Sequence, residues 1–101
     1  MRRKSEANSL AEFRIFETAQ FRKDLEQDFS GQQARIQRKL DAQVYPQLRQ
    51  NPYVGKHIKK LRHYQPETWQ YRIGDYRFFY RIDDRQHLVF MLAADARGQA
   101  Y

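Results

Sequence analysis

The sequence contains no cysteine, which excludes both a disulfide framework and a metal site built on thiolates. No stretch approaches the roughly 20 consecutive apolar residues that a membrane-spanning helix needs. The basic start, Met1-Arg2-Arg3-Lys4, is not followed by the apolar run that a signal peptide would have. We therefore expect a soluble, cytoplasmic protein with no membrane partner.

Acidic residues are scarce relative to basic ones. Asp and Glu number 12 and Lys and Arg number 19, so the formal net charge is +7. A positive surface of this size attracts nucleic acid, an anionic membrane surface or an acidic protein. The 101 residues are enough for one small domain. We expect residues 1–11 to form a flexible basic tail and residues 12–101 to fold as a single domain.

The apolar pattern of the first half predicts a strand followed by two helices. Residues 12–17 alternate in a way that suits a strand covered on both sides, and Thr18 can cap the next helix. Ser30 and Gln33 fit a capping box at the start of the second helix. This helix should bury a stripe of side chains spaced by four residues, and Pro46 should kink it or end its regular part. The stripe consists of Ile36, Leu40, Val44 and Leu48.

The second half predicts three strands after a basic connector, residues 56–66. Residues 69–73 and 76–82 flank a two-residue turn and form a hairpin. Residues 87–94 are nearly all apolar, as in a central strand. The order predicts an α+β fold with an N-terminal strand, a two-helix hairpin and a three-stranded antiparallel meander. The resulting small twisted sheet should be covered by the helices on one face.

Two arginines are predicted to face each other across the hairpin. The turn Gly74-Asp75 fixes the register, so Arg72 lies opposite Arg77 on one face of the sheet. Like charges in that position are destabilising, and an anion removes the conflict. A phosphate suits two guanidinium groups. The alternative is a solvated face on which each arginine pairs with Asp75, Glu67 or an acidic residue of the tail.

The two faces of the predicted hairpin differ in chemistry. The core face carries Trp69, Tyr71, Ile73, Tyr76, Phe78, Tyr80 and Ile82. The other face carries Gln70, Arg72, Arg77, Phe79 and Arg81. A basic face with an aromatic ring suits single-stranded nucleic acid, so we expect Phe79 and Arg81 to contact RNA.

The connector adds a basic cluster that we expect to contact the backbone of mRNA or of ribosomal RNA. Its members are Lys56, Lys59, Lys60 and Arg62. His57 and His63 lie beside it without a Cys, Asp or Glu set at ligand spacing, so no metal site is predicted. Either histidine remains a candidate general base.

The last predicted strand has apolar residues on both faces. The row Leu88, Phe90, Leu92 alternates with the row Val89, Met91, Ala93. Only one row can meet the helices, and the other leaves an apolar patch beside Phe79 of the kind that marks a partner site. The turn at residues 83–86 leaves open which of the two rows faces outward.

These motifs together resemble the RelE/ParE toxin superfamily of type II toxin–antitoxin systems, over about residues 12–101. The resemblance rests on the opening strand and two helices and on four short matches. They are Asn51-Pro52-Tyr53-Val54-Gly55 followed by Ile58-Lys59-Lys60-Leu61, Tyr71-Arg72-Ile73-Gly74-Asp75-Tyr76-Arg77 with Tyr80, and Asp95-Ala96-Arg97 with Tyr101. It implies a RelE-like ribonuclease that cuts mRNA in the ribosomal A site without metal or other cofactor. The 2′-hydroxyl attacks the adjacent phosphodiester and leaves a 2′,3′-cyclic phosphate.

The resemblance also implies roles for four residues. Arg77 matches the arginine that holds the scissile phosphate, and Arg72 lies where some members place a catalytic lysine. Arg97 matches an arginine placed for the phosphate or the leaving group. Tyr101 matches a late aromatic hydroxyl that helps to position the nucleophile.

Two positions depart from the family's pattern and leave alternatives open. Ala96 stands where many relatives carry histidine, and Gln70 stands where a second basic residue often appears. One alternative is a ParE-like inhibitor of DNA gyrase, and another is a catalytically weak homologue that acts through antitoxin binding and autoregulation. The partners implied are an acidic antitoxin that wraps the toxin, mRNA with the ribosome, and operator DNA bound by a toxin–antitoxin hetero-oligomer.

Overall fold

Five strands form one mixed sheet, with the helices packed on one of its faces, in the computed structural model, which describes residues 12–28 and 31–96. The elements are β1 (Arg14–Glu17), α1 (Ala19–Asp28), α2 (Gln33–Lys39), a π-helical segment (Leu40–Val44), α3 (Tyr45–Gln50), β2 (Ile58–Lys60), β3 (Trp69–Ile73), β4 (Tyr76–Asp83) and β5 (Leu88–Ala96). The strand order is β1-β5-β4-β3-β2. The basic tail, Arg97 and Tyr101 lie outside the described residues.

The predicted α+β class and the antiparallel meander of β3, β4 and β5 are confirmed. β1 joins the meander by pairing in parallel with β5. The prediction missed β2, which pairs antiparallel with β3 inside the segment expected to be a connector. A strand of three residues that contains two lysines has no alternating apolar pattern, and such short, charged strands are typical of sheet edges.

Thr18 begins α1 and ties it to the sheet. Its hydroxyl accepts the backbone N–H of Phe21 at 3.2 Å and donates to the carbonyl of Met91 at 2.7 Å. This confirms the predicted cap. Asp24, nearly two turns further along the helix, accepts the backbone N–H of Ala94 at 2.9 Å. Two side chains of one helix therefore fix it along the central strand β5.

The second helical stretch buries its predicted stripe by changing its pitch. All four stripe residues are almost fully buried. A four-residue spacing drifts by about 40° per step around an α-helix, because 3.6 residues make a turn. The π-helical segment, closed by the N–H of Tyr45 on the carbonyl of Leu40, widens the helix midway. Pro46 then lies in the first turn of α3, where its missing N–H costs least.

The predicted capping box at the start of that stretch is not seen. α2 begins at Gln33 after Gln32, whose side chain makes no capping hydrogen bond. Ser30 itself lies outside the described residues.

The hairpin has the predicted register. Gly74 has a φ of +62° and Ile73 lies opposite Tyr76, as a two-residue turn with glycine first requires. The predicted core face is also confirmed, because Tyr71, Phe78 and Tyr80 are buried and its other members pack against the core.

A β-bulge interrupts the pairing of β4 with β5. Phe79 lies opposite Ala93 and Tyr80 lies opposite Met91, so Leu92 is an extra residue in β5. The side chains that face the helices therefore change phase along β5: Val89 and Met91 are buried before the bulge, and Ala94 and Ala96 after it. His87, expected at the start of this strand, instead lies in the preceding turn with a φ of 54°.

The second face of the sheet is not covered by any helix among the described residues. Phe16 of β1 lies on it and is 54% exposed, so the expectation that this strand is covered on both sides is wrong. We call this face, opposite the helices, the open face.

No helix of the described part is long and apolar enough to cross a membrane.

Leu48→Ala tests the core at the end of the stripe. Because Leu48 is fully buried, its truncation should lower the free energy of unfolding by about 2–5 kcal/mol. The matched control is Val54→Ala at a 67% exposed position, for which we expect a change within about 0.5 kcal/mol. Urea denaturation with equal m-values measures both. Equal effects of the two substitutions would contradict the assigned core.

Candidate nucleic-acid interface

Three charged residues lie in one line across three neighbouring strands of the open face. Arg72 is opposite Arg77, and Arg77 is opposite Asp95. The N–H of Arg72 donates to the carbonyl of His57 at 2.9 Å, which continues the pairing of β2 with β3 by one residue. Directly opposed residues share a face. We call Arg72, Arg77 and Asp95 the cross-strand row.

Arg77 has an intramolecular partner that the sequence analysis did not consider. Its guanidinium forms an ion pair with the carboxylate of Asp95 through one terminal nitrogen. The expected partners were Asp75, Glu67 or the tail. The two side chains are 33% and 37% exposed, so the pair is only partly screened by water. Asp95 therefore relieves the repulsion between the two opposed arginines without any bound ligand.

The ion pair leaves part of the guanidinium unused. Arg77 Nε is buried and has no hydrogen-bond acceptor among the described residues. The guanidinium carbon lies 5.8 Å from the ring centre of Phe79, so arginine and ring stack on the open face. A bidentate anion uses two nitrogens of an arginine, whereas Asp95 uses one.

Arg72 lies in a different environment. It is exposed, and no carboxylate among the described residues is within ion-pair distance of it. It lines an open pocket of about 360 Å³ between β2 and β3. The residues around this pocket, called the basic pocket below, are Lys56, His57, Ile58, Lys59, Gln70, Arg72 and Gly74. None of them is acidic, so an anion entering the pocket meets only cations and neutral groups.

The structure divides the predicted cluster of the connector. Lys56 and Lys59 line the basic pocket, but Lys60 and Arg62 do not. Lys60 forms an ion pair with Glu67 at 2.6 Å and lies 5.8 Å from the ring centre of Trp69. The sequence alone could not show which of these cations share a face. That depends on the alternation of side chains along β2, a strand that the sequence did not predict.

Phe79 and Arg81 both lie on the open face, as predicted, but each is already in contact with a neighbour. The ring of Phe79 stacks with the guanidinium of Arg77, and the guanidinium carbon of Arg81 lies 6.0 Å from the ring centre of Phe90. Phe90 in turn meets Phe16 edge to face at 5.7 Å. The open face is thus basic on β3 and β4 and apolar on β5 and β1. Neither of the two predicted rows faces outward along its whole length: Phe90 faces outward and Val89 inward before the bulge, whereas beyond it Ala93 lies opposite Phe79 on the open face.

Three buried tyrosines near these elements are not proton acceptors at neutral pH. Burial raises the pKa of the Tyr71 and Tyr80 phenols above the ordinary value of tyrosine. Burial also raises the pKa of Tyr45, and its hydrogen bond to the carboxylate of Glu17, 2.5 Å long, acts in the same direction. All three therefore keep their protons. Within residues 12–28 and 31–96, no three His, Asp or Glu side chains are grouped so that they could hold a metal ion.

A family model described as the ParE toxin of the type II toxin–antitoxin system parDE matches residues 15–101. The chain belongs to this ParE toxin family. The expected membership of the RelE/ParE superfamily is thereby confirmed. No curated protein sequence matches the chain.

Three of the solved structures with a similar fold come from different organisms. A chain of the toxin–antitoxin complex RelBE2 of Mycobacterium tuberculosis is 26% identical, with a TM-score of 0.69 over 91% of this chain and 99% of the other. A chain of the archaeal RelE–RelB complex of Pyrococcus horikoshii is 21% identical, with a TM-score of 0.57 over 87% and 98%. A mutant of the Escherichia coli toxin RelE in the free state is 17% identical, with a TM-score of 0.59 over 88% of each chain.

The coupling between Arg77 and Asp95 can be measured in a double-mutant cycle of Arg77→Met and Asp95→Asn. Because the pair is partly buried, we expect a coupling free energy near 1 kcal/mol or above, about the upper limit for exposed pairs. The control cycle, Lys60→Met with Glu67→Gln, joins side chains that are 54% and 60% exposed and should give about 0.5 kcal/mol or less. Urea denaturation of all variants gives both values. A coupling at Arg77–Asp95 no larger than the control would show that Asp95 does not hold Arg77.

Proposed function

We propose that this ParE family member is the toxin of a type II toxin–antitoxin system and that it cleaves mRNA on the ribosome in the cytoplasm. The observation that carries the proposal is the pair of directly opposed arginines on an open sheet face, one of which lines a basic pocket free of carboxylates. Such a surface suits the closely spaced phosphates of a single-stranded RNA.

In the proposed reaction, Arg72 and Arg77 hold the scissile phosphate. The 2′-hydroxyl of the preceding ribose attacks the phosphorus, and the product is a 2′,3′-cyclic phosphate. Two guanidinium groups stabilise the negative charge that grows on the phosphate oxygens. Arg77 must exchange its contact with Asp95 for the phosphate, because its unpartnered Nε is buried and out of a ligand's reach. By resemblance, Arg97 acts on the leaving oxygen and Tyr101 helps to orient the hydroxyl.

The remaining cations are proposed to hold the RNA or the ribosome without reading sequence. Lys56 and Lys59 extend the basic pocket along β2, and Arg81 extends the positive surface along β4. The connector residues outside the pocket, Lys60 and Arg62, and the basic tail add contacts to ribosomal RNA.

We also propose a cognate antitoxin as the physiological partner. Two of the similar structures are toxin–antitoxin complexes. The outward-facing rings of Phe16 and Phe90 form an apolar strip, of the kind that marks a partner site. An acidic partner is favoured by the net charge of +7.

Inhibition of DNA gyrase is a second candidate function. It is favoured by the match to the family model of ParE toxins and by the ion pair that already occupies Arg77. Under this alternative the open face binds protein, and no phosphate chemistry occurs.

Primer extension on a defined mRNA in a reconstituted translation mixture tests the proposed cleavage. The wild type should produce discrete cuts, and Arg72→Ala should slow them about 10²–10³-fold, as expected for the loss of one group that stabilises transition-state charge. Arg72 is exposed, so the variant should remain folded. The matched control, Arg35→Ala on the exposed surface of α2, should cut at the wild-type rate.

The same preparation discriminates the second candidate function. Under the nuclease proposal, addition of toxin to gyrase and DNA produces no cleavage complexes. Intact mRNA together with gyrase cleavage complexes would overturn the nuclease and establish the alternative. Intact mRNA without gyrase cleavage complexes would leave a protein that acts only through antitoxin binding and operator DNA.

A further inference from the structure

We propose that His57 is the proton acceptor for the attacking 2′-hydroxyl of the RNA. The inference rests on the nuclease function proposed above and supplies the base that this function lacks. The position at which many relatives carry histidine is Ala96 here, which cannot accept a proton, and it is buried on the core side of β5.

His57 lies next to the arginine that is proposed to hold the phosphate. Its carbonyl accepts the N–H of Arg72 at 2.9 Å, and both residues line the basic pocket. His57 immediately precedes β2, and it shares with Arg72 a pocket of only about 360 Å³. A phosphate held by Arg72 in this pocket would therefore lie beside His57.

The other groups in the pocket do not suit the task. Lysine and arginine ordinarily carry their protons at neutral pH, and histidine is the side chain with an ordinary pKa near 6.5. The charged groups that face His57 are Lys56 and Lys59 on its own segment and Arg72 on β3. The Tyr71 ring lies 5.4 Å from the imidazole, centre to centre, and burial raises the pKa of its phenol.

The two remaining histidines of the chain are placed elsewhere. His63 is exposed and does not line the basic pocket. His87 stacks on Phe13 with ring centres 4.6 Å apart, beside the start of β1. The structure thus separates His57 from His63, which the sequence left as equal candidates.

The proposed step balances with water as the only co-reactant. The imidazole takes the proton of the 2′-hydroxyl while the bond from O2′ to phosphorus forms. The bond from phosphorus to O5′ breaks, and O5′ leaves with the electron pair and takes a proton from water. The imidazolium then returns its proton to the solvent. Asp95 cannot be the matching acid, because three strand spacings of about 4.8 Å separate it from His57.

The test is single-turnover cleavage of a defined mRNA on ribosomes across pH 5.5–8.5, with the full chain as wild type, His57→Asn and His63→Asn. Asparagine removes the imidazole and tolerates the left-handed backbone of His63, whose φ is 65°. His57→Asn should cleave roughly 10²–10⁴-fold more slowly than the wild type. It should also lose the rise in rate with pH near neutrality and keep the wild-type Kd for an RNA oligonucleotide. His63→Asn should match the wild type.

Added imidazole should restore part of the cleavage by His57→Ala, which a merely structural role would not allow. Three results would overturn the proposal: wild-type rates and an unchanged pH profile in His57→Asn, a loss confined to the Kd for RNA, or no rescue by imidazole. If the wild type cleaves no mRNA at any pH, the nuclease function fails and the inference fails with it. Cleavage by the wild type and by His57→Asn alike would reject His57 alone.

Discussion

The register between strands is the constraint on which the open face depends. Two local features set it: the turn at Gly74 places Arg72 against Arg77, and the bulge at Leu92 places Asp95 against Arg77. Without the extra residue in β5, the alternation of that strand would turn Asp95 towards the helices, where an unpaired carboxylate is costly. The bulge therefore moves one acidic side chain from a core position to the open face, and the ion pair forms there.

The two arginines of the row consequently differ in their readiness for a ligand. Arg77 is held by Asp95, so an incoming phosphate gains only the difference between its own attraction to Arg77 and that of the Asp95 carboxylate. Among the described residues Arg72 has no such partner, and it lines the basic pocket together with Lys56 and Lys59. An anion that binds Arg72 displaces no carboxylate, which makes Arg72 the stronger determinant of phosphate binding in the proposed function. Arg77 contributes a fixed, stacked guanidinium whose geometry is set before binding.

The sequence predicts the features that depend on local periodicity. The stripe from Ile36 to Leu48, the cap at Thr18 and the hairpin register follow from spacing and turn chemistry, and all three are present. The ion pair of Asp95 could not be predicted. Residues 88–94 are all apolar, so an extra residue among them does not change any polar–apolar alternation in the sequence. β2 escaped detection because a short edge strand lacks an apolar pattern. Arg97 and Tyr101 remain predictions that rest on the resemblance.

The division of the open face into a basic and an apolar half has a consequence for the proposed partners. Arg81 belongs to both halves, since it lies on β4 beside the arginines and contacts the ring of Phe90 on β5. An acidic antitoxin segment lying on the apolar strip would meet Arg81 at its border, and an RNA on β3 and β4 would meet the same guanidinium from the other side. An acidic antitoxin segment and an RNA bound side by side on the open face would repel each other and would both contact Arg81. Neutralisation by the antitoxin would then require no contact with Arg72 or His57.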